Sequence, residues 1–238
     1  MLLDPHIHTK GISPCSRVPA DELVDICVRD KIDAIVLTNH YKHYYYGDDI
    51  PFSEWIKKYV EEYYITKEFG DKSGLKVFFG LEVTLKENDR IDYVIYGLPE
   101  TAAVKSPPLC SFTQKELFEF CVANNALLYQ AHPYRRGTLP QDPRYLHGVE
   151  INCHPVYDYN DEKEVREFAK EHSLKLSCGS DYHGDTYKTH CGIYVPDDIK
   201  DTVELAEFLR SPEQCELEVH TIIPNWREKH QWGEILTR

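Results

Sequence analysis

Residues 4–8 of the chain read Asp4-Pro5-His6-Ile7-His8 and follow the short apolar run Met1-Leu2-Leu3. The apolar run predicts a β-strand, and side chains alternate between the two faces of a strand, so His6 and His8 share one face. Two imidazoles side by side at a strand end form half of a transition-metal site. We therefore expect the rest of the chain to bring further ligands to this strand end.

The size and composition of the chain limit what it can be. Its 238 residues, 42% of them apolar, suffice for one large domain, and we predict a single domain over residues 1–238. The formal net charge of −13 argues against general nucleic-acid binding, since phosphates would be repelled. A small anionic substrate stays compatible with this charge, because bound metal ions invert the local field.

The sequence shows no membrane span and no secretory leader, so we expect no membrane partner and a cytoplasmic location.

Eight cysteines are scattered along the chain without a Cys-x-x-Cys pair. This usage is typical of reduced, buried thiols in a reducing compartment. The sequence indicates no particular oligomeric state.

Apolar runs that alternate with helical patterns predict the fold class. We predict strands near residues 34–37, 75–80, 92–97, 126–130, 148–152, 174–179 and 216–221. Helices are predicted near residues 19–28, 54–69, 113–124, 161–172 and 201–210, with Ser53 and Thr113 as the N-caps of the second and third. Strands that alternate with helices favour an α/β fold with a parallel sheet, open or closed.

Side chains that can bind metals gather at the ends of these strands. A lone histidine there is more often a hydrogen-bonded structural residue than a ligand. Parallel-sheet folds, barrels above all, nevertheless place their chemistry at this edge. The imidazoles and carboxylates together suit Mn, Fe or Zn better than Ca or Mg. The candidates are Asp4, His6, His8, His40, Glu82, His132, Asp181 and His183, with Asp92 and His154 as weaker members.

Five segments, in order along the chain, resemble the motifs of the PHP (polymerase and histidinol phosphatase) family. Asp4-x-His6-x-His8 resembles the first motif, and Thr38-Asn39-His40 resembles the second, usually Thr-Asp-His. The segment Gly80-Leu81-Glu82-Val83 is similar to the family's Gly-x-Glu. Ala131-His132-Pro133 and Gly179-Ser180-Asp181-Tyr182-His183 resemble the last two. The resemblance spans residues 2–185, which leaves residues 186–238 to complete the barrel and form a tail.

The resemblance implies a distorted (β/α)7 barrel with two or three divalent transition-metal ions (Mn, Fe or Zn) at its strand ends. Glu82 would bridge two ions, because a carboxylate has two oxygens and can hold two cations close together. The implied ligands are His6, His8, Glu82 and Asp181 for the first ion, Glu82, His132 and Asp92 for the second, and His40 and His183 for the third. Many relatives have a histidine where this chain has Asp92.

The third ion is where the chain departs from the family. Many relatives have an aspartate or histidine ligand between the positions of Thr9 and Arg17, where this chain offers Ser13, Cys15 and Ser16. Cys15 could bind as a thiolate, but we expect it to be buried and inert. The third site would then be weak or completed by water.

Basic residues beside the motifs are candidates for substrate contact. Arg135 and Arg136 follow the fourth motif, and a planar guanidinium matches two phosphate oxygens. Lys42 and His43 follow the second motif in a tyrosine-rich loop that could cover a pocket and bind an anion. His154 is a candidate for protonating a leaving group. The structural alternatives are a solvent-exposed arginine pair, a packed aromatic loop and a plain loop histidine.

These observations favour a metal-dependent phosphoesterase that hydrolyses a small phosphate ester, a phosphomonoester or a nucleotide-like phosphate, with metal-activated water. Its predicted catalytic residues are Glu82, Arg135 and His154. An amidohydrolase-like reaction at carbon is one alternative, because a His-x-His barrel also hosts that chemistry. A non-catalytic metal-binding module is another, since a fold does not determine function. A polymerase-associated nuclease is disfavoured, because the sequence has neither a polymerase domain nor a basic patch.

Overall fold

The computed structural model describes residues 1–47, 49–154, 162–185 and 188–219. In these residues the strands are β1 (Leu2–Ile7), β2 (Ala34–Leu37), β3 (His40–Tyr41), β4 (Lys76–Thr84), β5 (Asp92–Tyr96), β6 (Leu127–Gln130), β7 (Gly148–Asn152), β8 (Lys175–Gly179), β9 (Gly192–Tyr194) and β10 (Leu217–Glu218). The helices are α1 (Ala20–Arg29), α2 (Phe52–Ser73), α3 (Glu100–Lys105), α4 (Gln114–Ala123), α5 (Glu162–His172) and α6 (Thr202–Leu209). The predicted strand at 216–221 lies partly outside the described residues.

The strands form one sheet that curls into a nearly closed barrel. Their order is β10-β9-β1-β2-β4-β5-β6-β7-β8, with β3 paired to β4. The barrel approaches closure between β1 and the segment after β8, where Ile7 forms a parallel bridge with Tyr182. The Asp181 amide also donates to the His6 carbonyl at 2.8 Å. The predicted distorted barrel is confirmed.

Strand β5 departs from the expected parallel order. It runs antiparallel to both β4 and β6, with Thr84 opposite Asp92 in the β4–β5 register. Only residues 85–91 connect β4 to β5, and a parallel crossover needs a dozen residues or more. The reversal brings the first residue of β5, rather than its last, to the edge where the parallel strands end.

The helices cover the outside of the sheet and bury its apolar side chains. Helix α4 begins as predicted, with a capping box in which the Thr113 amide donates to Glu116 Oε2 at 2.8 Å. The predicted cap of α2 is wrong, because the helix begins at Phe52 and Pro51 occupies the N-cap position. Proline fits there, since the first amides of a helix have no partner within it. In the part of the chain that the structure describes, no helix has the length and apolarity to cross a membrane.

Candidate metal centre

All eight predicted ligands lie together at one edge of the barrel. Their ligand atoms form three overlapping groups, and within each group these atoms lie no more than 4.8 Å apart. The groups share His8 and Glu82, so they form one continuous cluster. They are His6, His8, Glu82 and Asp181; Glu82, Asp92 and His132; and His8, His40 and His183.

Glu82 lies at the centre of the cluster and is fully buried. Its Oε1 lies 3.3 Å from His6 Nε2 and 3.1 Å from His132 Nε2. Its Oε2 lies 3.5 Å from His8 Nε2 and also contacts His40 Nδ1. Burial by itself would raise the pKa of this carboxyl, but His40 and His6 hold the pKa well below its usual range. The two oxygens face different imidazoles, which is the arrangement that a bridging carboxylate requires.

Glu150, on β7, is a fully buried carboxylate that supports two of the ligands. Its Oε1 accepts a hydrogen bond from His6 Nδ1 at 2.8 Å, and its Oε2 accepts one from the His132 amide at 3.1 Å. Donation from Nδ1 leaves His6 Nε2 as the ligand atom, the pattern of metal-bound histidines. The sequence analysis missed Glu150. The available signal was a carboxylate within an apolar strand, because a buried charge needs partners.

His8 and His183 are oriented in the same way. The Nδ1 of His8 lies 3.3 Å from Ser13 Oγ, and the Nδ1 of His183 lies 2.8 Å from the Asp181 carbonyl. Their Nε2 atoms therefore point into the cluster, 3.0 Å from Asp181 Oδ1 for His8 and 3.2 Å from His40 Nε2 for His183. Three of the predicted histidine ligands thus share one tautomer, fixed by an outer partner.

Asn39 explains the departure from Thr-Asp-His in the second motif. Its Oδ1 accepts from the Thr9 amide at 2.8 Å and from Ser13 Oγ at 2.9 Å. Its Nδ2 donates to Thr9 Oγ1 at 2.9 Å. An ionised aspartate accepts hydrogen bonds but donates none, so the amide is the better match for this set of partners.

The residues fit a cluster of divalent cations. Three buried atoms of the cluster have no hydrogen-bond partner among the described residues: His6 Nε2, His40 Nδ1 and Glu82 Oε2. Leaving a buried polar atom unsatisfied costs about 1–3 kcal/mol, and cations between these atoms would satisfy all three. Imidazole nitrogens and carboxylate oxygens also form the donor set that Zn, Mn and Fe accept.

Two residues of the cluster have a strained backbone. His132 has a φ of 32° and Asp181 a φ of 50°. Both residues occupy left-handed conformations that L-residues other than glycine rarely adopt, at a cost of about 1–3 kcal/mol each. The fold holds both residues in these conformations, which place their side chains in the cluster.

Asp92 lies with the second group, although it is the first residue of its strand rather than the last. Its Oδ2 lies 3.8 Å from His132 Nε2. Its Oδ1 accepts a hydrogen bond from Thr84 and lies 3.8 Å from Lys42 Nζ. The reversed direction of β5 is what brings this carboxylate to the cluster.

The structure does not support our expectation that Cys15 is a buried and inert thiol. Cys15 is exposed and lines the cavity beside the third group. Partial burial raises the pKa of the thiol, but hydrogen bonds with His183 and His40 lower the pKa to about 6. The exposed thiol therefore lies beside the third group of predicted ligands.

A cavity of about 520 Å³ opens beside the cluster. Its wall carries the cations Lys42, Arg90 and Arg135, and the sequence analysis missed Arg90. Arg135 donates to Asp181 Oδ2 at 2.6 Å and to Asn152 Oδ1 at 2.6 Å. Burial lowers the pKa of Lys42, but Asp92 contributes to a net rise, so this side chain is an ammonium ion at neutral pH.

Other predicted substrate contacts are placed differently. His154 lines the cavity, with Nε2 3.1 Å from Asp185 Oδ2. Burial lowers the pKa of His154 more than Asp185 raises it, so the imidazole is neutral at pH 7. His43 is not among the described residues that line the cavity, and its ring packs against Tyr44 with centroids 5.1 Å apart. The Arg136 side chain lies outside what the structure describes.

Comparison with known proteins identifies the fold. No family model and no curated protein matches the sequence. Among solved structures, the chain is similar to a two-domain protein from Bacteroides vulgatus that contains a predicted PHP-like metal-dependent phosphoesterase, with a TM-score of 0.65 and 18% identity over 92% of this chain. The chain has the PHP fold. It spans 65% of the length of that two-domain protein.

Two further solved structures are similar to the chain in fold and in length. PsfC from Pseudomonas syringae matches with a TM-score of 0.63 and 18% identity, over 99% of this chain and 97% of PsfC. An amidohydrolase from Chromobacterium violaceum with bound sulfate matches with a TM-score of 0.58 and 13% identity, over 90% of this chain and 99% of the other. At sequence identities this low, the similarity establishes only the fold. The activity has to be argued from the residues of the site.

Proposed function

We propose that the protein is a metal-dependent phosphoesterase that hydrolyses a small phosphate ester. One observation carries the proposal: a cluster of imidazoles and carboxylates converges on Glu82 beside a cavity whose wall carries Lys42, Arg90 and Arg135. Metal ligands and cations on one cavity wall favour an anionic substrate. The volume of about 520 Å³ suits a small ester, either a phosphomonoester or a nucleotide-like phosphate.

The proposed ligands are those of the three groups described above. Two or three divalent ions there, Mn, Fe or Zn, would acidify the attacking water and offset the charge of the phosphate. Glu82 is the proposed bridge between two of the positions, because its oxygens face different imidazoles. Cys15 is proposed as a ligand at the third position, since it lines the cavity beside His40 and His183.

Arg135 and Lys42 are the proposed phosphate contacts. Arg135 holds the Asp181 carboxylate and lines the cavity, so one guanidinium can orient a ligand and bind a phosphate oxygen. Lys42 adds a second positive charge on the same wall. Substrate contact by Arg136 and His43 stays a prediction from the sequence, and the position of His43 gives it no support.

His154 is the proposed acid–base residue. Asp185 lies 3.1 Å from its Nε2 and fixes the ring, as the orienting carboxylate does in other acid–base pairs. The imidazole is neutral at rest, which suits it to accept a proton during the reaction. It can then return that proton to the leaving oxygen.

An amidohydrolase-like reaction at carbon is the second candidate, favoured by the similarity to an amidohydrolase from Chromobacterium violaceum. Phosphorus chemistry is the first choice, because three cations line the cavity and bound metal ions would offset its four aspartates, Asp89, Asp92, Asp181 and Asp185. A non-catalytic metal-binding module is the third. A screen of phosphate esters, amides and lactones with one metal-loaded preparation separates the three.

The direct test is hydrolysis of a panel of small phosphate esters by protein loaded with Mn²⁺, Fe²⁺ or Zn²⁺. We expect turnover that a chelator abolishes, and we expect Glu82→Ala to lower kcat/KM by at least about 100-fold because ligands to two ions are lost. Metal-loaded protein that is inert on the whole panel would contradict the proposal. Glu82→Ala with unchanged turnover would do the same.

The role of Arg135 needs a matched comparison. We expect Arg135→Ala to raise KM and lower kcat, because phosphate contact and the orientation of Asp181 are both lost. Arg144→Ala is the control, since Arg144 is an exposed arginine that pairs only locally, with Asp142. Equal kinetics for the two variants would refute the role of Arg135.

The proposed partner is a small phosphorylated molecule rather than a nucleic acid, given the net charge of −13.

We also propose a cytoplasmic location. Its support is that none of the eight cysteines, all of which the structure describes, forms a disulfide.

A further inference from the structure

Three cysteines meet at a place separate from the candidate metal centre. Cys153 follows β7 directly, Cys178 lies on β8, and Cys191 directly precedes β9. Their sulfur atoms all lie within 4.8 Å of one another, and those of Cys153 and Cys178 are 3.5 Å apart. Each side chain is at most 1% exposed. We call these three residues the thiol triad.

We infer that the thiol triad binds a thiophilic metal ion, with Zn²⁺ as the reference case. Thiolates that share a Zn²⁺ ion at a Zn–S length of about 2.3 Å lie about 3.8 Å apart in tetrahedral geometry. The 3.5 Å between Cys153 and Cys178 is close to that spacing, and it far exceeds the disulfide bond of about 2.05 Å. Soft sulfur ligands select Zn²⁺ or Cu⁺ over Mn²⁺ and Mg²⁺.

The thiol triad lies on the outer side of the barrel wall. Ser177, the neighbour of Cys178 on β8, contacts the Tyr96 hydroxyl of β5 at 3.4 Å. Strands β5 and β8 are not adjacent in the sheet, so this contact crosses the barrel interior. Side chains alternate along a strand, so Cys178 faces outward, where its sulfur donates to the Glu218 carbonyl at 3.4 Å. An ion held here would be distinct from those on Glu82.

The thiol triad lies in a buried environment with one cation close to it. The Lys188 side chain is only 1% exposed and lies near Cys191. Its ammonium group pairs with Asp4 Oδ2 at 2.8 Å. Burial raises the pKa of the Cys191 thiol well above its usual value. The thiols are therefore protonated without an ion, and metal binding would release their protons to solvent.

An ion in the thiol triad would tie together segments that carry the catalytic residues. Cys153 directly precedes His154, and Cys178 is three residues before Asp181. Binding would cross-link the end of β7, β8 and the segment that enters β9. The expected role is structural, because all three sulfurs are buried away from the cavity.

The test uses Co²⁺ as a spectroscopic substitute for Zn²⁺ in full-length protein purified with a reductant. All experiments use the Cys15→Ser background, which removes the one thiol that contacts the predicted histidine ligands. We expect a sulfur-to-cobalt charge-transfer band in the near ultraviolet that Zn²⁺ displaces. Cys178→Ser and Cys191→Ala should each abolish the band. Cys121→Ser should keep it, since Cys121 is equally buried but belongs to no group of ligand atoms among the described residues.

Native mass spectrometry supplies a second measurement. We expect Cys178→Ser to bind one Zn²⁺ ion fewer than Cys121→Ser. A Cys15→Ser protein without a charge-transfer band would overturn the inference, and so would a band that survives both triad substitutions. If the triad variants do not fold, zinc X-ray absorption of the Cys15→Ser protein decides: sulfur neighbours support the site, and nitrogen and oxygen neighbours alone refute it. None of these readouts depends on phosphatase activity.

Discussion

At the scale of single residues, the buried carboxylate of Glu150 shows how the centre is held. It accepts hydrogen bonds from His6 Nδ1 and the His132 amide and does not belong to any ligand group. We predict that Glu150→Gln weakens metal binding by about 10–100-fold, because the amide must turn an NH₂ group toward one of these donors. Competition with a chromophoric chelator measures the effect.

The control for this substitution is Glu119→Gln, which changes the same functional group on the exposed face of α4. Its metal affinity should equal that of the wild type. Circular dichroism of both variants without metal separates a loss of ligand orientation from a loss of fold. Equal affinities for Glu150→Gln and Glu119→Gln would show that Glu150 does not orient the ligands.

Cys15 is the residue whose environment the sequence interpretation misjudged. Cys15 is exposed and lines the cavity beside His40 and His183. If Cys15 is a ligand at the third position, bound Zn²⁺ should slow its alkylation by iodoacetamide at least about tenfold, because a metal-bound thiolate is a poor nucleophile. Mass spectrometry of the labelled peptide measures the rate. Cys215, which is half-buried and belongs to no ligand group, is the internal reference.

At the scale of elements, His147 links two neighbouring strands. Its Nδ1 accepts a hydrogen bond from the Leu128 amide at 3.0 Å, which joins the start of β7 to β6. Burial, with a smaller contribution from Arg210, lowers the pKa of His147 to about 4. The unfolded chain therefore binds a proton at His147 more readily than the folded chain does. The stability contributed by neutral His147 is complete above about pH 6.5 and is lost as the pH falls toward 4.

The free energy of unfolding of the wild type should fall between pH 7 and pH 4. We predict that this fall is smaller by about 1–2 kcal/mol in His147→Asn, a value that allows for the partial exposure of the ring. Asparagine keeps an acceptor for the Leu128 amide but does not titrate. Urea unfolding at both pH values, with a chelator present, gives the difference. His172→Asn, at the exposed end of α5, should keep the wild-type pH dependence. Parallel behaviour of the two variants would contradict the assignment.

The direction of β5 shows which properties of a strand a local sequence pattern can predict. Its apolar run predicted the strand, and the short connection at 85–91 contained the information that the strand must reverse. The sequence interpretation used the run but not the connection length. Strand β9 was missed because it has three residues, too few for a periodic signal.

At the scale of the whole molecule, the buried carboxylates link folding to metal binding. Glu82 and Asp181 lie among five imidazoles with almost no exposure to solvent themselves. Cations that bind the folded chain alone stabilise it by mass action, about 2.7 kcal/mol per site at 100 times Kd. We predict that Mn²⁺ raises the Tm of chelator-treated protein by about 5–10 °C per occupied site.

Mn²⁺ is chosen for this experiment because it avoids thiols, so the thiol triad does not contribute. Differential scanning calorimetry with and without the ion measures the shift. The Glu82→Ala variant should show little of this Tm shift, because it lacks the residue that two ligand groups share. A wild-type Tm that does not respond to Mn²⁺ would contradict metal binding at the cluster.

The sequence by itself determined the alternation of strands and helices and the ligand candidates, because apolar runs and the residues that follow them are local patterns. The barrel was implied by the resemblance of five motifs to the PHP family. His6 and His8 share a face through strand alternation alone, and the strand-end positions of Glu82 and His132 follow from the lengths of their apolar runs. Tertiary structure decided the partners of those residues. Glu150 reaches His6 across 144 positions of sequence, and the thiol triad joins three separate segments. Such contacts depend on how distant strands are ordered and directed around the barrel, and no local pattern records that arrangement.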